Sequence, residues 1–193
     1  MTFYPPKISA RFYQPKNSGK SAAANGVGTG ASFVCGAFVR FYLEIDAGTK
    51  EITQAKFKTG GCGYSIAAAD VLAGKIKGKK LIELHGLDEL QAEVESELGN
   101  FSAFREHCLE ICLDALHAAF ADFRAYQIEE FAGEKALICT CFGVSEDEIE
   151  KAVAENEIET IEEVTKICKA GGGCGSCQFL IQEIIDNYRN ERF

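Results

Sequence analysis

From Val39 to Ile45 the apolar residues fall on every second position. Val39, Phe41, Leu43 and Ile45 alternate with neighbours that include Arg40 and Glu44. A period of two marks a strand with one buried face. Asp46-Ala47-Gly48-Thr49 supplies turn chemistry, and Ile52 to Lys58 returns with Ala55 and Phe57 on one face, which predicts an antiparallel hairpin. Gly60-Gly61-Cys62-Gly63 breaks the second strand. The period then becomes helical, with Ile66, Ala69, Ala73 and Ile76 on one face. Asp88 is placed to cap a second, short helix through Leu98. A long helix begins near Phe104 or Glu106, its buried stripe formed by Cys108, Ile111, Cys112, Ala115, Ala119 and Phe123, and is expected to run to Gly133. Residues 1–32 lack apolar periodicity and are rich in Gly, Ala, Ser and Lys. They read as a short helical or extended start followed by a flexible lead-in.

After Gly133 the pattern changes. Ser145-x-x-Glu148 and Thr160-x-x-Glu163 are two capping boxes, each opening a short helix. Ile149 and Val153, then Ile161, Val164 and Ile167, are expected to face inward. Gly171-Gly172-Gly173 ends the second helix, and a last one from about Cys177 carries Leu180, Ile181, Ile184, Ile185 and Tyr188. Modules with so few core residues commonly need a metal or disulfide staple. The chain therefore divides into residues 1–132, an α+β domain with an antiparallel sheet packed on helices, and residues 133–193, a small all-α helix-turn-helix module.

Charge changes the picture of partners. The net charge of −9 is uneven: residues 133–193 carry 6 Lys/Arg against 13 Asp/Glu. Nucleic acid is excluded as a partner, because phosphate binding needs clustered basic residues. The acidic second part suits docking to basic protein surfaces, and equally a solvated face. No basic segment followed by an apolar run opens the chain, and no apolar stretch approaches the ~18 residues of a membrane helix. A cytoplasmic protein, off the membrane, is expected. Two nucleotide-loop look-alikes fail on context. Gly19-Lys20-Ser21 lacks the earlier glycine, position 14 being Gln, and no strand is read before Gly26-Val27-Gly28-Thr29-Gly30-Ala31.

Nine cysteines, an odd count in CxC and CxxC spacings without export signals, point to metal or redox ligands rather than disulfides. Cys139-Thr140-Cys141 and Cys174-Gly175-Ser176-Cys177 stand 32 residues apart, each pair in a loop. Four thiolates from two loops suit zinc or an iron–sulfur cluster. Structural zinc sites favour CxxC in both halves, so the CxC half points to the cluster. The surrounding glycines admit backbone amides to cluster sulfurs, and Cys177 opens a helix. Cys168 reads as core. These spacings, with the run Cys-Thr-Cys-Phe-Gly-Val-Ser-Glu-Asp-Glu-Ile, resemble the bacterioferritin-associated ferredoxin type of [2Fe–2S] domain over residues 137–187. That resemblance implies a permanent [2Fe–2S] cluster on Cys139, Cys141, Cys174 and Cys177.

In the first half, Cys35 precedes the first predicted strand and Cys62 follows the second, so an antiparallel hairpin brings them together. His107 and Cys108 open the long helix, whose free amides stabilise thiolate. Three thiolates and an imidazole thus form a metal site near the protein edge, and Cys112 reads as a small buried residue. His85 and His117 show no partner pattern. Cys35-Gly36, the stretch Lys56 to Ala67 and His107-Cys108 resemble the iron–sulfur scaffold family of IscU and the NifU N-terminal domain, over about residues 4–125. The resemblance implies an IscU-like fold and a labile [2Fe–2S] or [4Fe–4S] cluster on Cys35, Cys62 and Cys108, with His107. It also implies a cysteine desulfurase as partner, Cys108 as sulfur acceptor and apo iron–sulfur proteins as recipients. An electron donor is a further expected partner, and a homodimer is left open. Zinc in the isolated protein is compatible with the same thiols. Two features depart from the family: Ala37 stands where Asp is usual, and Gly99 to Arg105 replaces the Leu-Pro-Pro-Val-Lys chaperone segment.

The module order resembles NifU with its C-terminal scaffold domain missing. The expected function is an assembly scaffold, not an enzyme: no Ser/His/Asp or paired-carboxylate arrangement is evident. The alternative is an electron-transfer or redox-sensing protein with a non-transferring N-terminal site.

Overall fold

The computed structural model describes residues 3–84, 88–130 and 136–191. The chain forms two compact units, Met1–Lys79 with Gly86–Phe123, and Lys80–His85 with Arg124–Phe193. The cap expected of the Asp88 side chain, the helix end expected at Gly133 and His85 lie outside the described residues.

In the first unit the period-two segments form strands β2 (Phe38–Ile45) and β3 (Ile52–Thr59), paired antiparallel with Phe41 opposite Phe57 and Leu43 opposite Ala55. Opposed residues share a face, so the apolar positions of both strands point the same way. A third strand, β1 (Gly26–Ala31), pairs antiparallel with β2 and completes the order β1-β2-β3.

That strand corrects the reading of residues 1–32 as ending in a flexible lead-in. The core-facing positions of β1 are Gly26, Gly28 and Gly30, so the apolar alternation that announces a strand is missing. Glycine stands there because α4 (Glu106–Glu130) lies flush against β1. A Cβ on Gly28 would fall 2.1 Å from the Ala119 amide nitrogen, and one on Gly30 2.1 Å from the Ile111 carbonyl oxygen. Ala115 and Ala119 keep the facing side of the helix small and fully buried.

The start of the chain is also tied down. Helix α1 (Pro6–Tyr13) opens with proline, pre-set for a first turn, and packs beside α2 (Gly63–Ile76) and α3 (Asp88–Leu98). Arg11 donates to the fully buried Asp70 of α2 at 2.7 Å and to Glu97 of α3 at 2.6 Å. Asp70 also accepts from the Asn17 amide at 2.8 Å. Gly19, in the segment that ends like a phosphate loop, donates its amide to Phe57 on β3 at 2.8 Å.

The second unit is largely helical: α5 (Glu146–Asn156), α6 (Ile161–Cys168) and α7 (Gln178–Glu191). It also contains a short antiparallel pair, β4 (Leu137–Cys139) and β5 (Val144–Ser145), too brief to display a period in the sequence. Thr160 and Glu163 form a reciprocal capping box, whereas Ser145 gives both its amide and its hydroxyl to Glu148. Ile149, Val153, Val164, Ile181 and Ile185 form the core. Two expected core residues are exposed, Ile167 and Leu180. Each α6 or α7 presents one narrow stripe, Val164 with Cys168 and Ile181 with Ile185, and the excluded residues lie one position away, about 100° around the helix. Among the described residues no helix is long and apolar enough to cross a membrane.

Candidate metal centres

Cys35 lies in the turn between β1 and β2. Ser32 donates its amide to Ala37 at 2.8 Å and Gly36 donates to Ser32 at 2.9 Å, with Gly36 at φ +68°. The closed turn leaves Cys35 exposed, flanked by the exposed Phe33 and Val34. Cys62 follows β3 and occupies the N-cap position of α2. Its sulfur makes no capping hydrogen bond but sits by the free Tyr64 and Ser65 amides of the first turn, which favour negative charge on it. His107 and Cys108 stand in the first turn of α4, where free amides and the helix dipole favour negative charge.

These four side chains meet in a row. Cys35 Sγ is 3.4 Å from His107 Nε2, which is 3.5 Å from Cys108 Sγ, which is 3.7 Å from Cys62 Sγ. The row runs from solvent at Cys35 to the core at Cys108, 1% exposed. The hydrogen bond between Cys62 and Cys108 favours one thiolate beside one thiol. Against the opposing effect of burial, that bond and the two amides hold the Cys62 thiol down to about 4, while the same bond and burial push Cys108 up.

Three further residues support this centre. Arg105 reaches Cys62 Sγ at 3.8 Å with its guanidinium over the Tyr64 ring. Tyr4 accepts from the Gly63 amide at 3.1 Å and meets Tyr64 edge-on. Ser65 is enclosed behind Cys62. Arg105 could be found from its place two residues before His107; Tyr4 and Ser65 carry no spacing signal. Cys112 is fully buried, its thiol bonded to the Cys108 carbonyl at 3.1 Å and pushed up by burial. His117 is exposed, outside the row.

In the second unit, Cys139 ends β4, Cys141 lies in the β4–β5 turn, and Cys174 and Cys177 lie in the loop before α7. All four thiols are free, and hydrogen bonding couples the ionisation of Cys139 to that of Cys177 and the ionisation of Cys174 to that of Cys141. The Cys177 bond, then the amides of Gly171, Phe142 and Cys141, draw Cys139 down to about 6 against burial. The Cys141 bond, followed by Ser176 at 3.3 Å, draws Cys174 to about 4. Gly173 is packed against Cys141: a Cβ there would lie 2.7 Å from its Cβ and 3.0 Å from its sulfur. Cys168 is half-buried against the core with its thiol on the Val164 carbonyl.

Among the described residues no three Cys, His, Asp or Glu side chains already surround one point as ligands of a single metal ion. The second unit instead offers two thiol pairs, glycine-lined, with amides aimed at sulfur. That donor set fits a [2Fe–2S] group, whose protein ligands are four cysteine thiolates.

Comparison with known proteins agrees with both halves. Residues 3–130 match the NifU-like N terminal domain family, and residues 137–187 match the BFD-like [2Fe-2S] binding domain. The nitrogen fixation protein NifU of Trichormus azollae is 33% identical over 98% of this chain and 65% of its own length; that of Azospirillum brasilense is 33% identical over 95% and 59%. The chain thus spans somewhat under two thirds of these relatives. The iron-sulfur cluster assembly scaffold protein IscU of Aquifex aeolicus is 30% identical over 76% of this chain and 91% of its own. The crystal structure of a nitrogen-fixing NifU-like protein (N-terminal) from Brucella abortus shares the fold, with TM-score 0.52 and 17% identity over 63% of this chain and 94% of that one. The chain belongs to the family of the NifU-like N-terminal domain, and a BFD-like [2Fe-2S] binding domain follows it in the same polypeptide.

Proposed function

We propose that this chain is a cytoplasmic iron–sulfur cluster assembly scaffold. It receives iron and persulfide sulfur, builds a labile [2Fe–2S] or [4Fe–4S] cluster on Cys35, Cys62 and Cys108 with His107, and passes it to apo-proteins. The observation that carries this reading is the graded row of donors. Cys108 and Cys62 are anchored on helix starts, while Cys35 sits on an exposed turn that a partner can reach. Membership of the scaffold family supports it.

Sulfur arrives by attack of a cysteine thiolate, Cys108 on the family resemblance, on the outer sulfur of the desulfurase persulfide. The S–S bond breaks and the desulfurase cysteine leaves as thiolate. Cys62 takes the shared proton across 3.7 Å as Cys108 attacks, so charge is conserved within the pair. The chain is a recipient and donor of cargo, not a turnover enzyme. Phe33, Val34 and Phe104, all highly exposed beside the row, supply apolar contact for the desulfurase or an acceptor.

The resident [2Fe–2S] group of the second unit supplies one-electron chemistry when bound. Cys139, Cys141, Cys174 and Cys177 would hold it, with the amides of Gly171, Phe142 and Cys141 stabilising negative sulfur there, and it would supply electrons for sulfur reduction or for coupling clusters on Cys35, Cys62 and Cys108. Zinc competes for the first-unit thiols in isolated protein, without being the cargo.

One observation favours a second reading. Ala37, buried at the end of the Cys35 turn, provides no carboxylate to exchange with a cluster ligand, which suits a redox protein that keeps its first cluster. Anaerobic iron and sulfide analysis with visible spectroscopy on the parent, Cys62→Ser and Cys141→Ser separates the two. A scaffold shows two independent centres, with the Cys62-dependent one moving to an apo-ferredoxin. Retention of that centre through reversible redox cycles selects the redox protein, and an unchanged centre in Cys62→Ser refutes both.

A further inference from the structure

Among the described residues a single buried side-chain polar atom lacks a hydrogen-bond partner: the hydroxyl oxygen of Ser65. Ser65 is the third residue of α2 and fully enclosed, near the equally buried Ala67, Ala68 and Ala69. Alanine would fill the place without stripping water from a hydroxyl for no return. A helical serine usually escapes this cost by bonding the carbonyl one turn back, and Ser65 does not.

Its surroundings say what the hydroxyl is for. A Cβ on Gly61 would stand 2.7 Å from both Ser65 Cβ and Oγ, so the glycine is what leaves room for this side chain. Ser65 stands three residues after Cys62, and its carbonyl accepts from Cys112 Sγ at 3.7 Å, a thiol that also donates to the Cys108 carbonyl at 3.1 Å. The residue therefore forms the inner wall of the Cys62–Cys108 pair.

We propose that Ser65 is a hydrogen-bond donor to the sulfur cargo carried between Cys62 and Cys108, its hydroxyl waiting unpaired until a sulfide or sulfane sulfur provides the acceptor. The proposal deepens the scaffold reading and rests on it. Negative sulfur so close to the core needs donors in place of water. Ser65 Oγ adds one to the Arg105 guanidinium, 3.8 Å from Cys62 Sγ. A merely structural serine makes the opposite prediction, because its removal would weaken the empty protein and leave the cluster alone.

The test uses the full chain, reconstituted anaerobically with ferrous iron, sulfide and thiol, as parent, Ser65→Ala and Cys62→Ser. The labile centre is the absorbance present in the parent and missing from Cys62→Ser. The cluster-free Ser65→Ala protein is expected to melt at or above the parent temperature. Its labile centre is expected to lose iron to a ferrous chelator about tenfold faster, the scale of lost outer-shell bonds. Equal loss rates and identical visible bands would overturn the Ser65 assignment while leaving the scaffold reading intact; so would a lower melting temperature with unchanged loss. A Cys62→Ser protein with the same iron, sulfide and visible absorbance as the parent would overturn the scaffold reading itself, and Ser65 with it.

Discussion

Two glycine-to-alanine changes in the first unit should move stability in opposite directions. Gly74 lies exposed in α2, and a Cβ there meets only Asn17 Nδ2 at 3.6 Å, an ordinary contact. Restricting the unfolded chain should then stabilise Gly74→Ala by about 0.4–1 kcal/mol. Gly28→Ala enjoys a similar gain on the unfolded side, yet its Cβ would fall 2.1 Å from Ala119 N and 2.2 Å from Ala115 O. Both are backbone atoms, so neither can rotate aside. Reaching ordinary contact at 3.4 Å moves β1 off α4 by 1.3 Å, which also lifts Gly26 and Gly30 from the same helix. Overpacking of this kind costs about 1–3 kcal/mol and more where backbone must shift. The clash outweighs the entropy gain, and a net loss of about 2 kcal/mol is expected for Gly28→Ala. Urea unfolding of the reduced, cluster-free chain, followed by circular dichroism, measures both. A Gly28→Ala protein as stable as the parent would refute the flush contact of β1 on α4. A destabilised Gly74→Ala would refute the reasoning from open space.

Asp70→Ala should cost about 1–3 kcal/mol in the same assay, because it leaves the Asn17 amide without its acceptor at a fully buried position while Arg11 keeps Glu97. Ala37→Asp should speed cluster transfer to an apo-ferredoxin by restoring an exchangeable carboxylate beside Cys35; unchanged transfer kinetics would sink that account. Glu163 accepts from the Glu159 amide, then from Thr160, and its carboxyl is held below the ordinary 4.5. Its contribution to the second unit is therefore complete above pH 4.5 and fades as pH falls through the lowered value. A Glu163→Gln protein should show a flatter acid limb in its melting temperature, and an identical limb would exclude the capping carboxylate as its source.

How much of this was legible beforehand depends on which contacts leave a pattern. β2, β3 and the stripe of α4 bury large side chains at regular intervals, so period two and period 3.6 reveal them. The strand β1 fails that test for a physical reason: where backbone packs on backbone, the code is glycine, and Gly26, Gly28 and Gly30 look like a loop or a phosphate cradle. Ile167 and Leu180 fail the other way. Helices as short as α6 cover one stripe, and an apolar residue one step off it has nothing to pack against.

The cysteines were legible by spacing, because a loop that carries a CxC or CxxC pair brings its own ligands together whatever the rest of the chain does. What surrounds them was not. Ser65 and Tyr4 come to the Cys62 turn through the fold rather than the sequence, whereas Arg105, legible from its place before His107, reaches Cys62 sulfur without being a ligand. The row itself, with Cys62 and Cys108 sharing a proton at its inner end and Cys35 exposed at its outer end, follows from where three turns meet. A site made only to keep its cluster would gain from withdrawing its thiols from solvent, as in the second set, where Cys139, Cys141 and Cys177 are buried and Cys174 half-buried. Leaving one ligand on an exposed turn between Phe33 and Ala37 gives up that protection, and the compensation is access. The contrast between the two cysteine sets is therefore the structural argument for assigning cargo to the first and a resident cluster to the second.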